Sequence, residues 1–422
     1  MARKMKDSGI EWIGEIPEGW EVLAHKYIMH KEKSICEHYS GEDVISLTLN
    51  GVVKRDLENP SGKMPTTFDG YQFVDPNDLL LCLFDIDVTP RCVGLVKDYG
   101  VTSPAYSRFK IHSGFCNAYY NYLLRFIDDE KVFVHLSKNL RSSLTESDFG
   151  AIKTIVPPKA EQQRIADYLD NRTFEIDTLL SKARSSIEEY KKLKQAVITQ
   201  AVTKGVRGER EMKDSGVEWI GEIPREWEIS RIKYVSIFEP SCDFKKLTPE
   251  TIITYSPMEC IKNGTFERRT SLYGNLAHTL TPFQNGDIVM AKVTPCFENG
   301  NVAIMNELQS GYGLGSSELF VFRPQNINTR YLFYWLQNKL FVHQACATMT
   351  GTGGLKRISP SFVKNCNIHY PSTAEQAQIA DYLDAKCADI DKLIAKKEQL
   401  VKELESYKKS LIYEVVTGKR EV

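Results

Sequence analysis

The chain contains the same sequence frame twice, and this duplication constrains its fold more than any other feature. Residues 5–22 (MKDSGIEWIGEIPEGWEV) and 212–229 (MKDSGVEWIGEIPREWEI) are identical at 14 of 18 positions. Residues 160–177 (AEQQRIADYLDNRTFEID) and 374–391 (AEQAQIADYLDAKCADID) share 11 of 18 positions. Two such pairs in the same order indicate a tandem duplication, so the fold has to be built from two equivalent halves.

The segments between the matched blocks have diverged almost beyond alignment. Short fragments still correspond, such as residues 78–80 (DLL) and 287–289 (DIV). A repeated frame with unlike inserts predicts one scaffold that presents two different surfaces. Neutral drift in two purely structural domains is the alternative.

Each half ends in a long stretch with helical periodicity. Residues 160–204 contain no Gly or Pro, and apolar side chains recur at the a and d positions of one heptad register. At about 1.5 Å per residue such a helix is roughly 65 Å long. Two copies predict an intramolecular antiparallel coiled coil, with apolar surface left over for a partner protein. The predicted coiled-coil and partner-docking residues are Ile165, Leu169, Ile176, Leu179, Tyr190 and Val197, followed in the second copy by Ile379, Leu383, Ile390, Leu393, Leu404 and Leu411.

The inserts have mixed character, with strand-length apolar runs bounded by Asp, Gly and Pro. The predicted fold class is therefore α+β: two mixed, β-rich globular domains separated by a pair of long antiparallel coiled-coil helices, related by a pseudo-two-fold tandem duplication. The predicted segments are the opening motif of repeat 1 (1–22), globular domain 1 (23–156), helix 1 (157–204), a linker with the opening motif of repeat 2 (205–229), globular domain 2 (230–372), and helix 2 with a C-terminal tail (373–422). The paired Trp residues of each opening motif are expected to form a structural clasp.

Motifs for catalysis and metal binding are missing from the sequence. It lacks the Pro-Pro-Tyr type of motif that holds a flipped base, and it lacks a Walker-type Gly-Lys-Ser/Thr. Its eight His residues show no i,i+4 pair, and its ten Cys residues include no Cys-x-x-Cys. We therefore expect no catalytic residue, no metal and no cofactor on this chain.

Cysteine usage and hydropathy indicate the compartment. Scattered cysteines favour reduced thiols and a cytoplasmic protein. The polar N-terminus is unlike a signal peptide, and no run of about 18 apolar residues predicts a membrane span. We expect no membrane partner.

Charge is unevenly distributed between the inserts. Residues 230–372 carry 14 basic and 9 acidic side chains, whereas residues 23–156 carry 15 and 17. Because phosphate binding needs a local basic surface rather than a basic chain, this distribution permits DNA binding without demonstrating it.

The repeated motifs resemble those of the specificity subunit of Type I restriction–modification enzymes. The resemblance rests on Asp-Ser-Gly-x-Glu-Trp-Ile-Gly-Glu-Ile-Pro-x-x-Trp, on Ala-Glu-Gln-x-x-Ile-Ala-Asp-Tyr-Leu-Asp, and on the closing Val-Thr-Gly-Lys at residues 416–419. The first half departs from the last motif, with Val-Thr-Lys-Gly at residues 202–205.

This resemblance implies a DNA-binding, non-catalytic component of host defence against foreign DNA. Globular domains 1 and 2 would be target-recognition domains, each recognising one half of an asymmetric bipartite double-stranded DNA site. The helices would set the gap and dock two modification (methyltransferase) subunits, to which restriction/translocase subunits add. S-adenosylmethionine, ATP and Mg²⁺ would belong to those partners.

Basic side chains for phosphates, and hydroxyl or aromatic groups for bases, are the expected DNA contacts. For each candidate an ordinary surface role is the alternative. The candidates are Lys54, Arg55, Arg91, Ser103, Tyr106, Arg108, Lys110 and Arg141 in domain 1, and Arg268, Arg269, Lys292, Thr294, Ser316, Ser317, Lys356 and Arg357 in domain 2.

A second class of function competes with DNA recognition. A non-catalytic coiled-coil scaffold that presents two protein-binding domains would explain the duplication and the helices equally well. It would not explain the unlike inserts with basic loops. A fused methyltransferase or nuclease is disfavoured because the motifs for those reactions are missing.

Overall fold

The chain forms two compact units. The computed structural model describes residues 3–49, 51–59, 65–137, 142–262, 264–277, 279–351 and 355–422. Unit 1 consists of residues 1–183 and 399–422, and unit 2 consists of residues 184–398. Each unit therefore combines one globular insert with part of each long helix.

In its described residues unit 1 contains two larger sheets, two two-stranded sheets and parts of both long helices. Its strands are β1 (Met5–Asp7), β2 (Glu15–Pro17), β3 (Glu21–Ala24), β4 (Met29–Lys31), β5 (Ile35–Cys36), β6 (Val44–Thr48), β7 (Gly51–Lys54), β8 (Tyr71–Val74), β9 (Leu79–Leu81), β10 (Val93–Leu95), β11 (Gly100–Thr102), β12 (Ser107–Ile111) and β13 (Lys153–Val156). Its helices are α1 (Asn117–Asp129), α2 (Val132–Leu136), α3 (Glu146–Ala151), the first part of α4 (Lys159–Lys204) and the last part of the second long helix.

Unit 2 repeats this layout. Its strands are β14 (Met212–Asp214), β15 (Glu222–Pro224), β16 (Glu228–Arg231), β17 (Ser236–Phe238), β18 (Ile252–Ser256), β19 (Ile261–Lys262), β20 (Thr265–Phe266), β21 (Arg269–Leu272), β22 (Thr281–Gln284), β23 (Ile288–Ala291), β24 (Val302–Ile304), β25 (Tyr312–Gly315), β26 (Leu319–Pro324) and β27 (Asn367–Tyr370). Its helices are the last part of α4, α5 (Ile232–Val235), α6 (Thr329–Trp335), α7 (Lys339–Ala347), α8 (Pro360–Asn365) and the first part of α9 (Thr373–Val416).

The two inserts share one sheet topology despite their unlike sequences. Unit 1 has a sheet in the order β10-β9-β12-β4, and unit 2 has the matching order β24-β23-β26-β17. The second sheets also correspond, because β8-β11-β6-β7 matches β22-β25-β18-β21, with β5 as an additional edge strand in unit 1. In both, the central pair is parallel, β11 with β6 and β25 with β18. The duplication therefore extends through the inserts, and the predicted fold class is confirmed.

The opening motif of each repeat is a clasp on the start of a long helix, as predicted. In unit 1 the buried Trp20 indole donates to a Glu161 carboxylate oxygen at 3.0 Å, and Arg3 pairs with the same carboxylate at 2.6 Å. In unit 2 the equivalent group consists of Arg210, Trp227 and Glu375.

A glycine in the left-handed region follows each long helix and fits against this clasp. Gly205 and Gly418 have φ values of +79° and +72°. A Cβ on Gly418 would lie 2.5 Å from Pro17 and 2.8 Å from Trp20, and one on Gly205 would lie 2.7 Å from Arg210. Although the first half ends in Val-Thr-Lys-Gly and the second in Val-Thr-Gly-Lys, each half therefore places a glycine against its clasp.

The second repeated block fixes each insert to its long helix. The Gln162 side chain accepts from the Cys116 backbone N–H at 2.9 Å and donates to the Pro157 carbonyl at 2.8 Å. The Tyr122 hydroxyl donates to Asp170 at 2.7 Å. Unit 2 repeats these contacts with Asn328, Gln376, Pro371, Tyr334 and Asp384. The near-identity of the blocks thus has a structural cause, because the same joint is built twice.

Pairing of the long helices is antiparallel, as predicted. In unit 1 the Lys408 ammonium group binds Asp177 at 2.6 Å, so the early part of α4 meets the late part of α9. In unit 2 Lys194 binds Asp391 at 2.7 Å, so the late part of α4 meets the early part of α9. Each half-buried lysine thus opposes an aspartate of the other helix.

The buried seam of these helices follows an eleven-residue repeat, which departs from the predicted heptad register at Leu179 and Leu393. Seven of the predicted coiled-coil residues are buried: Ile165, Leu169, Ile176, Ile379, Leu383, Ile390 and Leu411. Leu179 is 51% exposed and Leu393 is 42% exposed, although both were expected in the seam. A strict heptad drifts by about 20° per repeat relative to a straight helix, whereas eleven residues correspond to about 3.67 residues per turn. The side chains that stay at least partly buried at this spacing are Ile165, Ile176, Ile187 and Ile198 in α4, and Ile379, Ile390, Val401 and Ile412 in α9.

Residues 329–347 form two short helices, α6 and α7. α6 ends at Trp335, and the Asn338 side chain accepts from the Phe341 backbone N–H at 3.0 Å, which starts α7. Asparagine at this N-cap position competes with helix continuation. None of the helices in the described part of the chain has the length and apolar character needed to span a bilayer.

The seam predicts a sharp difference between two neighbouring leucines. Leu180 is 6% exposed, so Leu180→Ala leaves a cavity and lowers the free energy of unfolding by about 2–5 kcal/mol. Leu179→Ala, its matched control, lowers it by less than about 0.5 kcal/mol. Chemical denaturation followed by circular dichroism measures both. A larger loss at Leu179 than at Leu180 would restore the heptad register.

Candidate DNA interface

Unit 2 brings six of the predicted DNA contacts together at one end of the neighbouring strands β23 and β26. The Thr294 backbone N–H donates to the Lys356 carbonyl at 3.0 Å, and the Lys356 N–H donates to Thr294 Oγ1 at 2.9 Å. The Lys292 N–H donates to the Glu318 carbonyl at 3.0 Å. We call this surface the β23–β26 end; it comprises Lys292, Thr294, Ser316, Ser317, Glu318, Lys356 and Arg357.

Glu318 organises the charges of the β23–β26 end. Its carboxylate binds the Arg357 guanidinium at 2.5 Å, and this hydrogen bond lowers the pKa of Glu318. The same contact raises the pKa of Arg357. Lys292 lies over the Phe320 ring at 5.4 Å and is half-buried, while Ser317 and Lys356 are exposed. The surface therefore carries three cations and one anion on a backbone fixed by hydrogen bonds.

The other two predicted contacts of domain 2 belong to a different part of the unit. Arg269 begins β21 and pairs with Glu267 and Glu259. Arg268 pairs with Glu307 at 2.5 Å. Carboxylates therefore accompany both exposed arginines, and neither joins the β23–β26 end through a hydrogen bond or ion pair in the described residues.

In unit 1 the predicted residues near β6 and β7 line a cavity of about 360 Å³. Lys54, Arg55 and Tyr106 contribute to its wall, and Lys54 also pairs with Asp43 at 2.7 Å. Burial raises the pKa of the Tyr106 hydroxyl. The other lining residues are Ser46, Leu47, Thr48, Val53 and Asp56. Unit 1 therefore presents a polar concavity beside β6 and β7, whereas unit 2 presents a basic surface at the β23–β26 end.

Gln72 supports the loop that carries Ser103 and Tyr106. Its buried amide donates to the Ser103 carbonyl at 3.0 Å and to the Tyr106 carbonyl at 2.7 Å. No sequence pattern indicated Gln72, because its role depends on the pairing of β8 with β11.

Two arginines predicted to bind DNA in domain 1 are structural. Arg108 is 2% exposed, and its guanidinium binds Asp78 at 2.5 Å and Asp75 at 2.6 Å. Arg91 is also largely covered and donates to the Leu49 carbonyl at 3.0 Å. Their positive charge serves internal partners, so we withdraw both as DNA contacts.

The two remaining candidates of domain 1 have different outcomes. Lys110 is partly exposed and pairs with Glu32 at 3.1 Å and with Asp75 at 3.4 Å. Arg141 lies outside the described residues.

A second type of surface lies on the long helices. Leu179 and Tyr407 are about half exposed and flank the ion pair between Asp177 and Lys408 in unit 1. Unit 2 has the equivalent exposed residues Leu193 and Leu393, which flank the Lys194–Asp391 pair. We call these the paired apolar patches. Tyr407 was absent from the sequence-based prediction, although it lies two heptads after Leu393.

Metal ligands do not cluster in the described ranges. No group of three or more His, Cys, Asp or Glu side chains there is arranged to hold a metal ion.

The architecture defines a class of protein in which duplicated β-rich domains are carried by paired long helices. Solved structures share it. One chain of a type I R-M system superposes with a TM-score of 0.70 at 14% identity, covering 96% of this chain and 99% of that chain. An HsdS subunit from Thermoanaerobacter tengcongensis superposes with a TM-score of 0.52 at 14% identity, covering 96% of this chain and 98% of that chain. At this identity the likeness shows the fold alone.

Sequence comparison finds a matching family model and similar relatives. A family model described as a Type I restriction modification DNA specificity domain matches residues 224–405. The chain is 32% identical over 163 residues to the EcoEI specificity subunit of Escherichia coli, which covers 37% of this chain and 27% of that relative. It is 27% identical over 311 residues to the putative MjaX specificity subunit of Methanocaldococcus jannaschii, and this match covers 71% of this chain and 67% of that relative. The chain is therefore similar to Type I restriction–modification specificity subunits, and the family's DNA specificity domain matches its residues 224–405.

The extent of these matches differs between relatives. The matches to EcoEI and to the EcoAI specificity subunit of Escherichia coli, which is 34% identical, each span about a quarter (27%) of the relative's length.

Proposed function

We propose that the chain recognises an asymmetric bipartite site in double-stranded DNA, with one half-site for each target-recognition domain (residues 23–156 and 230–372). The observation that carries this proposal is that one topology presents two unlike surfaces. Unit 1 has the polar cavity lined by Lys54, Arg55 and Tyr106, and unit 2 has the β23–β26 end. Different side chains on equivalent scaffolds suit two different half-sites.

The chemistry of these surfaces suits DNA. Exposed lysines such as Lys356 supply phosphate contacts, and hydroxyl and guanidinium groups supply hydrogen bonds to base edges. Because its proposed substrate is cellular and foreign DNA, we place the chain in the cytoplasm.

The long helices are proposed to dock two methyltransferase subunits. The paired apolar patches occur once in each unit and use equivalent positions, since Leu179 and Leu393 differ by the repeat offset of 214. Two equivalent surfaces suit two copies of one partner. In this proposal the chain itself is non-catalytic; the partners, including restriction/translocase subunits, bind S-adenosylmethionine, ATP and Mg²⁺.

Exchanging one domain tests the assignment of half-sites. Replacing residues 23–156 with the corresponding domain of a relative is expected to change one half of the recognised site and to leave the other half and the gap unchanged. Mapping methylated adenines in cells that carry the assembled system measures this, and replacing residues 230–372 is the reciprocal control. If deletion of the gene removes no bipartite methylation motif, the chain is instead a protein-binding scaffold.

Introducing a positive charge into each of the paired apolar patches tests whether the methyltransferase subunits dock there. The double variant Leu179→Lys/Leu393→Lys is expected to weaken binding of the methyltransferase subunit at least tenfold, since burying one leucine contributes about 1.5–3 kcal/mol. Phe174→Lys is the matched control, because Phe174 is also exposed but lies about 140° away from Leu179 around α4. Equal binding by the double variant and the control would contradict docking at these patches.

A further inference from the structure

The backbone of Arg357 is held on two sides at the β23–β26 end. Arg357 and Thr350 exchange backbone hydrogen bonds of 2.8 and 3.0 Å, and Arg357 also forms a bridge with Val293. The next residue, Ile358, is buried and donates its backbone N–H to the Lys292 carbonyl at 3.0 Å. The side chain of Arg357 therefore starts from a fixed point.

The guanidinium of Arg357 is also held, but only along one edge. Its Nε donates to the two Glu318 carboxylate oxygens at 3.2 and 3.0 Å, and Nη2 donates at 2.5 Å. Among the described residues Nη1 makes no hydrogen bond, so the edge formed by Nη1 and the outer proton of Nη2 remains available. The side chain is 52% exposed.

We propose that Arg357, positioned by Glu318, is a specificity-determining residue that recognises a guanine in the half-site bound by unit 2. This inference rests on the proposed function and names one contact within it. Guanine presents two acceptors, O6 and N7, on its major-groove edge, and the outer edge of a guanidinium matches them with two parallel hydrogen bonds.

The neighbouring carboxylate favours a base over a phosphate as the ligand. Glu318 compensates the charge of Arg357, so the pair offers directed donors with little net attraction for an anion. Lys356, one residue earlier, has an exposed ammonium group and no carboxylate partner in the described residues. Lys356 therefore suits a phosphate, and Arg357 suits a neutral base edge.

The other arginines considered for domain 2 lack this geometry. Arg269 donates Nε and Nη2 to Glu267 and Nη1 to Glu259, so carboxylates occupy both of its edges. Arg268 donates through Nη2 alone to Glu307, and its guanidinium lies over the Phe266 ring. Arg357 combines a fixed backbone, one anchored edge and one available edge.

Selection from a duplex DNA pool with randomised positions tests the assignment. The full-length chain, assembled with its methyltransferase subunits, should enrich a bipartite site with a guanine at one position of the unit 2 half-site. Arg357→Ala and Arg357→Lys should reduce preference for that guanine about 5- to 150-fold, the range of one bidentate contact, because lysine keeps the charge but not the fork. The other half-site should be unchanged, which also shows that the variants are folded.

Lys356→Ala is the matched control for a phosphate contact. It should weaken binding uniformly across sequences and reduce the slope of log affinity against log salt by about 1. Arg357→Ala should change this salt slope less than Lys356→Ala does. It should instead reduce sequence preference at one position of the unit 2 half-site. Glu318→Gln should still select guanine at that position. Its loss of preference for guanine should be smaller than that of Arg357→Ala, as expected of a positioning residue.

The outcomes separate this inference from the proposed function. If the wild-type protein enriches no bipartite site, the proposed function is wrong, and the proposed contact between Arg357 and guanine is wrong as well. If wild type enriches such a site and Arg357→Ala enriches the same two half-sites with the same preferences, the proposed function stands and the role of Arg357 is overturned. A uniform loss of affinity for Arg357→Ala, like that of Lys356→Ala, would also overturn it.

Discussion

The eleven-residue seam of the long helices is the constraint on which the rest of the structure depends. Isoleucines at residues 165, 176, 187 and 198 keep one side of α4 buried along its length. Because this spacing is close to the natural period of an α-helix, the seam stays on one face and leaves the flank of each helix exposed. The same helices therefore bury one face and leave the paired apolar patches exposed.

The repeated sequence blocks build joints, and the unlike inserts carry the surfaces that differ. Glu161 and Gln162 lie one residue apart and bind the opening motif and the insert, respectively. Glu375 and Gln376 do the same in unit 2. A side chain that has two partners in different segments is difficult to replace, whereas a loop such as the β23–β26 end can change without loosening the joint.

The sequence predicted the duplication, the antiparallel helices and the β-rich inserts, since these depend on local patterns and on self-similarity. It correctly placed Leu169, Leu383 and Leu411 in the buried seam but wrongly placed Leu179 and Leu393 there, because heptad and eleven-residue registers differ by small angles that accumulate along a long helix. Leu179 and Leu180 exchange roles for this reason. The charge of Arg108 gave no indication that Asp78 would cover it, since that contact arises from cross-strand pairing of β12 with β9.

Some residues of the candidate DNA interface could be predicted from residue types in loops, but the way they are organised could not. Lys356 and Arg357 were predicted from a basic pair after glycines, and the structure places them beside Thr294. Glu318 was missed because an acidic residue is not an expected DNA contact. Its position follows from the register of β26, which a single sequence does not give.

Lengthening both helices tests most directly whether they set the gap between half-sites. Two added eleven-residue blocks in each helix, after Ala183 and after Lys397, keep the seam in phase and add about 33 Å. This is close to one DNA turn of roughly 34–36 Å, so the methylated motif should keep both half-sites and gain about ten base pairs between them. An unchanged gap in the methylation map would contradict the role of the helices as a spacer.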